Sequence, residues 1–397
     1  MQKLGNAEYS NHNKYIISIS QNSIVVTIAN VAVFYLLIVF YVYYLIDYSF
    51  LNIRVFSTGV VAVVCVLASI IASGYKSLSK TIWFPFLMVI CWLMGFLSYE
   101  GHYSNFADIY CSISYFFIAQ WFIVCKKHKS VFYEILFYIV FATIIYKVYI
   151  QHIPIMNILQ DGSSYNFISV VGLFYFMVSN FVRLQEGKSI SLVQSICLLI
   201  LAVTGFGRGG IAASLILLAL VLFNKYGEGK STILKLIVSF LSVVVIAAII
   251  VNFETIFQFV LESTNFLGKF AVKGTFNGDR MLIWSSYIKD ACGDPWKFIF
   301  GGNAYVMRAD GNLHNSFLQM HAQYGILFLI VNIWLLIRLI RRIYITRNKE
   351  IVILLVVFVV RCFTDRLMFH GFSEVIYYMF ISYLLLNPEV KARTNGH

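Results

Sequence analysis

The sequence contains few charged residues and very little proline. Of its 397 residues only 12% are charged and four are proline, whereas 60% are hydrophobic, including 36 phenylalanines and 26 tyrosines. Soluble globular chains contain about 25% charged residues, and disordered chains contain few aromatic ones. The composition therefore excludes both classes and predicts a protein embedded in a lipid bilayer.

The chain also lacks the motifs of disulfide, zinc and metal-dependent proteins. It has seven cysteines but no CxxC pair, and only Cys292 falls in a long polar segment. A single cysteine in a loop cannot pair with cysteines that are buried in apolar segments. HExxH and DxD motifs are absent, as is any Cys/His cluster with metal-ligand spacing. The sequence therefore predicts no disulfide scaffold, no bound metal and no other cofactor.

Long apolar segments recur along the chain. A membrane-spanning helix needs about 20 mostly apolar residues, and its backbone polar groups must be satisfied within the segment. The segments therefore predict an all-α polytopic membrane protein with about twelve transmembrane helices, and ten or eleven if the short seventh and eleventh segments do not cross. They run over 23–46, 55–72, 83–98, 106–124, 131–150, 165–182, 190–204, 210–224, 233–251, 316–339, 351–363 and 372–386.

These segments divide the chain into five regions. A polar tail over 1–22 precedes helices one to nine over 23–251, a long loop over 252–315, helices ten to twelve over 316–386, and a second tail over 387–397. The first apolar segment is too long for the core of a signal peptide, so we expect an uncleaved first span.

The basic residues predict the orientation of the chain. With the N-terminus in the cytoplasm, most of the 30 lysines and arginines fall in cytoplasmic segments and few fall in the short outer loops. Both termini are therefore predicted to be cytoplasmic, and the loop over 252–315 lies on the outer side. The net charge of +12 then reflects topology, and we expect no nucleic-acid binding because no basic patch gathers on a soluble face.

The long outer loop contains one segment with helical periodicity. Met281, Trp284 and Ile288 recur at helical spacing after Asp279, which is a good N-cap residue. The segment predicts an amphipathic helix that lies on the membrane or covers a cavity. Turn-forming residues follow over 293–303.

Two arginines on the outer side could bind an anion. Arg208 lies in the glycine-rich segment 205–210, which matches GxGxxG but lacks the strand and soluble βαβ unit of a dinucleotide site. A helix N-terminus, glycines and a guanidinium suit a phosphate, while a tight turn with an interfacial arginine is the alternative. Arg280 would add a second guanidinium, or it forms a solvated surface pair with Asp279.

His314, at the entry of the tenth helix, could act as a general base, because a histidine titrates near neutral pH. A hydrogen-bonded structural role is the alternative. His321 lies about 10 Å further along if this segment is helical, so the two histidines cannot share a metal.

Charged residues near the ends of the apolar segments need a separate interpretation. Charges inside membranes are costly and often functional, but near span ends they can pair or reach the interface. We therefore expect mainly structural roles for them. Arg366 is kept as a substrate-binding candidate because it faces the outer side. The set comprises Asp108, Glu134, Arg361, Asp365, Arg366 and Glu374.

The order of the outer-side motifs resembles the O-antigen polymerase and O-antigen ligase superfamily of bacterial inner-membrane glycosyltransferases. The motifs are TGFGRGG at 204–210, DRMLIW at 279–284, Gly301-Gly302 and HNSFL at 314–318. The resemblance covers roughly 204–326 by motif and the rest of the chain by topology. One departure is Phe206-Gly207, where many relatives carry a small polar residue before the arginine.

This resemblance implies a GT-C-like helical fold, with the long loop between helices nine and ten in the periplasm, and transfer of a glycan from undecaprenyl diphosphate on that side. Arg208 and Arg280 would hold the diphosphate, and His314 would activate the acceptor hydroxyl. Asn315 and Trp284 would contact the substrate or support these residues. The chemistry itself predicts transfer without a metal, because two arginines can neutralise the leaving diphosphate, and inversion at the anomeric carbon, because one base suffices for attack from the opposite face.

We therefore expect a polymerase that moves a growing lipid-linked chain onto a new lipid-linked repeat unit of O-antigen or a related surface polysaccharide. The first alternative is the ligase, which transfers the same chain to lipid A–core. The alternative of another class is a flippase or transporter, which should show repeat halves or broken helices with central charges. Expected partners are the undecaprenyl-diphosphate-linked donor and acceptor, membrane lipids, a chain-length regulator and a flippase.

Overall fold

The computed structural model describes residues 24–73, 75–98, 106–125, 127–160, 165–226, 279–301, 312–346, 348–368 and 371–386. Within these ranges the chain is helical, with short 3₁₀ turns, one π turn and no strand. The helices, in chain order, are α1 Ile24–Leu45, α2 Leu51–Ser73, α3 Tyr75–Thr81, α4 Trp83–Ser98, α5 Phe106–Val124, α6 Ser130–Ile145, α7 Ile168–Gln185, α8 Leu192–Thr204, α9 Arg208–Tyr226, α10 Asp279–Gly293, α11 Pro295–Phe300, α12 Ser316–Thr346, α13 Lys349–Thr364 and α14 Glu374–Leu386.

Seven helical segments in the described ranges are long and apolar enough to cross a membrane. They are Ile24–Leu45, Tyr48–Ser73, Tyr75–Leu97, Phe106–Val124, Ser130–Ile150, Ile168–Gln185 and Arg208–Lys225. These segments agree with the first to sixth and the eighth of the twelve predicted spans. The protein is therefore consistent with an all-α, membrane-embedded class.

The other five predicted spans either are not both long and apolar enough to cross a membrane or lie outside the described residues. The seventh and twelfth correspond to the shorter apolar helices Leu192–Thr204 and Glu374–Leu386. The tenth corresponds to α12, which is broken at Gly325, and the eleventh to α13, which has 16 residues. The ninth span, 233–251, and the loop parts 252–278 and 302–311 lie outside the described residues. The count of twelve therefore stays a prediction.

Helix α7 is the most deeply buried of the described helices. Every residue from Ile168 to Val182 is buried. A helix that is apolar on all sides is expected at the centre of a bundle. Its polar residues are satisfied internally, since Asn180 donates to Gln194 Oε1 at 2.8 Å and accepts from the Ser191 N–H at 2.9 Å.

Aromatic rings pack the core beside one end of α7. The Phe174 and Phe372 ring centroids lie 4.5 Å apart, and those of Tyr44 and Phe372 lie 4.6 Å apart. Edge-on and tilted ring contacts of this kind add to the energy of apolar burial. They join the end of α1, the first half of α7 and the segment just before α14, and the candidate site lies at this same end of the bundle.

Candidate functional site

The glycine-rich turn before α9 is shaped by close packing. A Cβ added to Gly209 would overlap the Thr364 side chain, and one added to Gly210 would overlap Ser169. Phe206 adopts a positive φ of 48°, which is uncommon for a residue other than glycine. The turn therefore brings the start of α9, with Arg208 as its exposed first residue, against α7 and the end of α13.

A buried ion pair lies beside this turn, at the end of α13. Arg361 is only 2% exposed, and its Nη2 atom lies 3.1 Å from Asp365 Oδ2. The same nitrogen donates to Ser169 Oγ at 3.2 Å and to the Asn166 carbonyl at 3.4 Å, while Nη1 donates to Thr364 Oγ1 at 3.1 Å. Arg361 therefore joins α13 to the start of α7, directly below the glycine turn.

Arg280 reaches the same place from α10. Its Nη1 atom donates to the Thr364 carbonyl at 2.6 Å, across 84 positions of sequence. Burial lowers the pKa of Arg280, Asp365 acts in the opposite direction, and the positive charges of Arg361 and Arg208 lower it further. The guanidinium groups of Arg361 and Arg208 therefore lie close enough to act on that of Arg280, although an arginine remains charged at any physiological pH.

His314 lies next to Asp365, the carboxylate that is paired with Arg361. Its Nδ1 atom lies 3.8 Å from Asp365 Oδ1, which is an ion-pair distance if the ring is protonated and too long for a direct hydrogen bond. The side chain is 34% exposed, so one part of the ring is accessible while Nδ1 is buried. The residue has a positive φ of 49°, stabilised by its N–H donating to Asn312 Oδ1 at 2.9 Å. Backbone strain of this kind costs about 1–3 kcal/mol and is common at functional sites.

Asp365 is the acidic group of the cluster. Burial alone would raise the pKa of its carboxyl, but Arg361, His314 and the N–H of Arg366 together hold the pKa well below its usual range. The carboxylate is therefore ionised at neutral pH. Arg361 and Arg280 both interact with this carboxylate, and guanidinium groups suit a ligand with more than one negative charge.

Trp284 and Asn315 hold the site together in the described structure. The Trp284 indole donates to the Leu313 carbonyl at 2.8 Å and so fixes α10 to the residue before His314. Asn315 Oδ1 accepts from the N–H groups of Phe317 and Leu318 at 2.9 and 3.1 Å, which is an N-cap of α12. Their predicted contacts with substrate stay predictions.

Arg366, the last predicted site residue, follows Asp365 directly. Its backbone N–H donates to Asp365 Oδ1 at 2.9 Å, and its side chain is buried, with 7% of the residue exposed. Arg366 thus contributes to the site through its backbone, and a side-chain contact with substrate stays a prediction.

The structure brings together the three residues that the sequence placed at the centre of the site, Arg208, Arg280 and His314. Sequence reasoning gave Arg361 and Asp365 structural roles and missed their contact with this group. The signal that could have found them is their i, i+4 spacing on an apolar helix, because a buried arginine needs a carboxylate nearby.

Among the described residues, no group of three or more histidine, cysteine, aspartate or glutamate side chains could hold a metal ion. No protein-family model matches the chain, and no curated protein is significantly similar to it.

Proposed function

We propose that the protein is a glycosyltransferase that polymerises undecaprenyl-diphosphate-linked oligosaccharide repeat units into a surface polysaccharide. It would act at the periplasmic face of the bacterial inner membrane, with both termini in the cytoplasm. The observation that carries the proposal is the meeting of Arg208, Arg280 and Arg361 with the His314–Asp365 pair at one end of an apolar helix bundle.

The arginines would bind the donor and stabilise its leaving group. A diphosphate accepts several charge-assisted hydrogen bonds, and guanidinium groups match its oxygens in pairs. As the bond between the anomeric carbon and the diphosphate oxygen breaks, negative charge grows on the diphosphate. Fixed positive groups in a partly buried site stabilise this charge more strongly than water does.

His314 would act as the general base. The acceptor hydroxyl oxygen attacks the anomeric carbon, its proton passes to Nε2 of His314, and the diphosphate leaves with the bonding electron pair. Asp365, on the Nδ1 side, would stabilise the imidazolium that forms and orient the ring. Attack opposite to the leaving group inverts the configuration at the anomeric carbon.

The test uses purified protein with synthetic lipid-linked repeat units and no energy source. We expect a ladder of polymer, and we expect Arg280→Ala and His314→Ala each to reduce its rate by at least about a hundredfold. Arg183→Ala is the matched control, because Arg183 is paired with Glu134 at 2.7 Å near the opposite end of α7. Its polymer rate should stay within a few fold of the wild type.

Other outcomes would decide between the alternatives. When lipid A–core is added to the reaction, transfer to it without a ladder would identify a ligase. Movement of the lipid-linked unit across the bilayer without chain growth would identify a transporter. Full polymer formation by Arg280→Ala would refute the role of the arginines as a diphosphate clamp.

A further inference from the structure

The helix that carries Arg280 is docked through a small apolar cluster of its own. This docking cluster is separate from the main hydrophobic core of the described residues. Because the energy of apolar burial scales with area, this cluster contributes less to holding α10 than burial in the main core would. It comprises Ile283, Tyr287, Ala291, Leu313 and Ala322, with Trp284 and Leu318 packed against it.

One buried histidine joins three helices at this cluster. The Nε2 atom of His321, on α12, lies 2.9 Å from the carbonyl oxygen of Phe298, on α11. Since a carbonyl only accepts, Nε2 carries the hydrogen, and Nδ1 accepts from the Tyr287 hydroxyl of α10 at 2.7 Å. A single imidazole therefore satisfies one polar group from each of the two docked helices.

The backbones of α11 and α12 also approach each other closely. Gly301 and Gly325 have positive φ values of 84° and 76°. A Cβ at Gly301 would lie 2.5 Å from the His321 carbonyl oxygen, and one at Gly325 would overlap the Ile299 carbonyl. This close approach places α11 within reach of the His321 ring, and Lys297 then ties α11 to α10 through Asp290 at 2.8 Å.

Arg280 lies seven residues before Tyr287, which is about 10 Å along the helix axis. A change of tilt at Tyr287 therefore moves the guanidinium of Arg280 away from the Thr364 carbonyl, which it contacts at 2.6 Å. A displacement of about 1 Å at a catalytic group can reduce a rate about a hundredfold.

We propose that His321 is a positioning residue that holds α10 and α11 against the first half of α12 and so keeps Arg280 in the arginine cluster. The expected loss of polymer rate when His321 is replaced rests on the proposed function. The expected shift of α10 can be measured without assuming that function.

The activity test compares His321→Phe and Tyr287→Phe with a matched control. Phenylalanine keeps a planar aromatic ring, slightly larger than imidazole, and removes the hydrogen bonds. His128→Phe is the control, because His128 is also buried and its Nδ1 also lies 2.7 Å from a tyrosine hydroxyl, that of Tyr133. We expect polymer rates about a hundredfold lower for His321→Phe and close to wild type for His128→Phe.

A double variant separates positioning from general stability. If His321 acts through Arg280, adding His321→Phe to Arg280→Ala causes no further loss of rate, whereas independent effects multiply. Multiplication of the two losses would overturn the proposal, as would an unchanged rate in His321→Phe.

The position of α10 is measured with spin labels. Cys292 on α10 is exposed, and Val203→Cys provides an exposed second site at the end of α8, in a Cys197→Ser background. We expect the distance distribution to broaden or shift in His321→Phe and to stay unchanged in His128→Phe. An unchanged distribution in His321→Phe would refute the inference. If the wild type forms no polymer, the proposed function fails, and the spin-label result still decides whether His321 positions α10.

Discussion

Replacing Asp365 with asparagine removes the negative charge at the centre of the site while nearly preserving shape. The carboxylate lies 3.1 Å from Arg361 Nη2 and accepts from the Arg366 N–H at 2.9 Å. Arg361 is 2% exposed, so the variant leaves a guanidinium buried without a compensating charge.

Breaking a buried ion pair on one side costs about 3–5 kcal/mol. Arg361 keeps three neutral acceptors in the variant, namely the Asn166 carbonyl, Ser169 Oγ and Thr364 Oγ1. We therefore expect the free energy of unfolding to fall by about 3 kcal/mol, at the lower end of that range.

The measurement is reversible unfolding in mixed micelles, with a double variant as the control. Replacing both partners, in Arg361→Met with Asp365→Asn, removes the charge that was left unpaired, so most of the lost stability should return. Stability of Asp365→Asn within about 0.5 kcal/mol of the wild type would refute the reasoning, because that is the range of ordinary surface substitutions.

The pH dependence gives a second check of the same pair. The pKa of Asp365 is held below its usual value of about 3.9. A carboxylate with a lowered pKa contributes stability that is complete above the unfolded pKa and is lost as the pH falls through the folded one. The difference between wild type and Asp365→Asn should therefore not shrink between pH 7 and pH 5, and should shrink only below about pH 4. A difference that already shrinks between pH 7 and pH 6 would contradict this assignment.

Two further predictions concern residues that shape the site. Gly210→Ala should destabilise the protein by about 1–3 kcal/mol in thermal unfolding, because the new methyl group overlaps the Ser169 side chain. If Gly210→Ala is as stable as the wild type, the inference that the glycine turn packs closely against Ser169 is wrong. Asn315→Ala should lower the free energy of unfolding by about 1 kcal/mol through loss of the α12 N-cap. Asn315→Ser should lower it much less, because serine is also a good N-cap residue. Equal stability of the two variants would exclude a capping role.

Helix positions were largely predictable from the sequence. The apolar segments 106–124 and 83–98 have the same bounds as α5 and α4, because the hydrophobic run itself begins and ends there. Helix α11 was not predicted, although Asp294 caps it and Pro295 occupies its first position. Both signals were present and were interpreted as a turn, since the segment is short and flanked by glycines.

The glycine turn shows where local patterns are ambiguous. Its sequence fits both close approach of a ligand and close approach of another helix. In the structure Gly209 and Gly210 face Thr364 and Ser169, residues that are far away in sequence. Only the packing of α9 against α7 and α13 shows that the glycines allow close approach of other helices.

By itself, the sequence determined the membrane-embedded, helical class of this protein, because hydrophobic burial and backbone hydrogen bonding in a bilayer depend on local composition. It also determined that Arg208, Arg280 and His314 lie outside the apolar segments. Only the tertiary structure decided that these residues meet around Arg361 and Asp365. Contacts between residues so far apart in sequence depend on how helices pack, and no short segment encodes that packing.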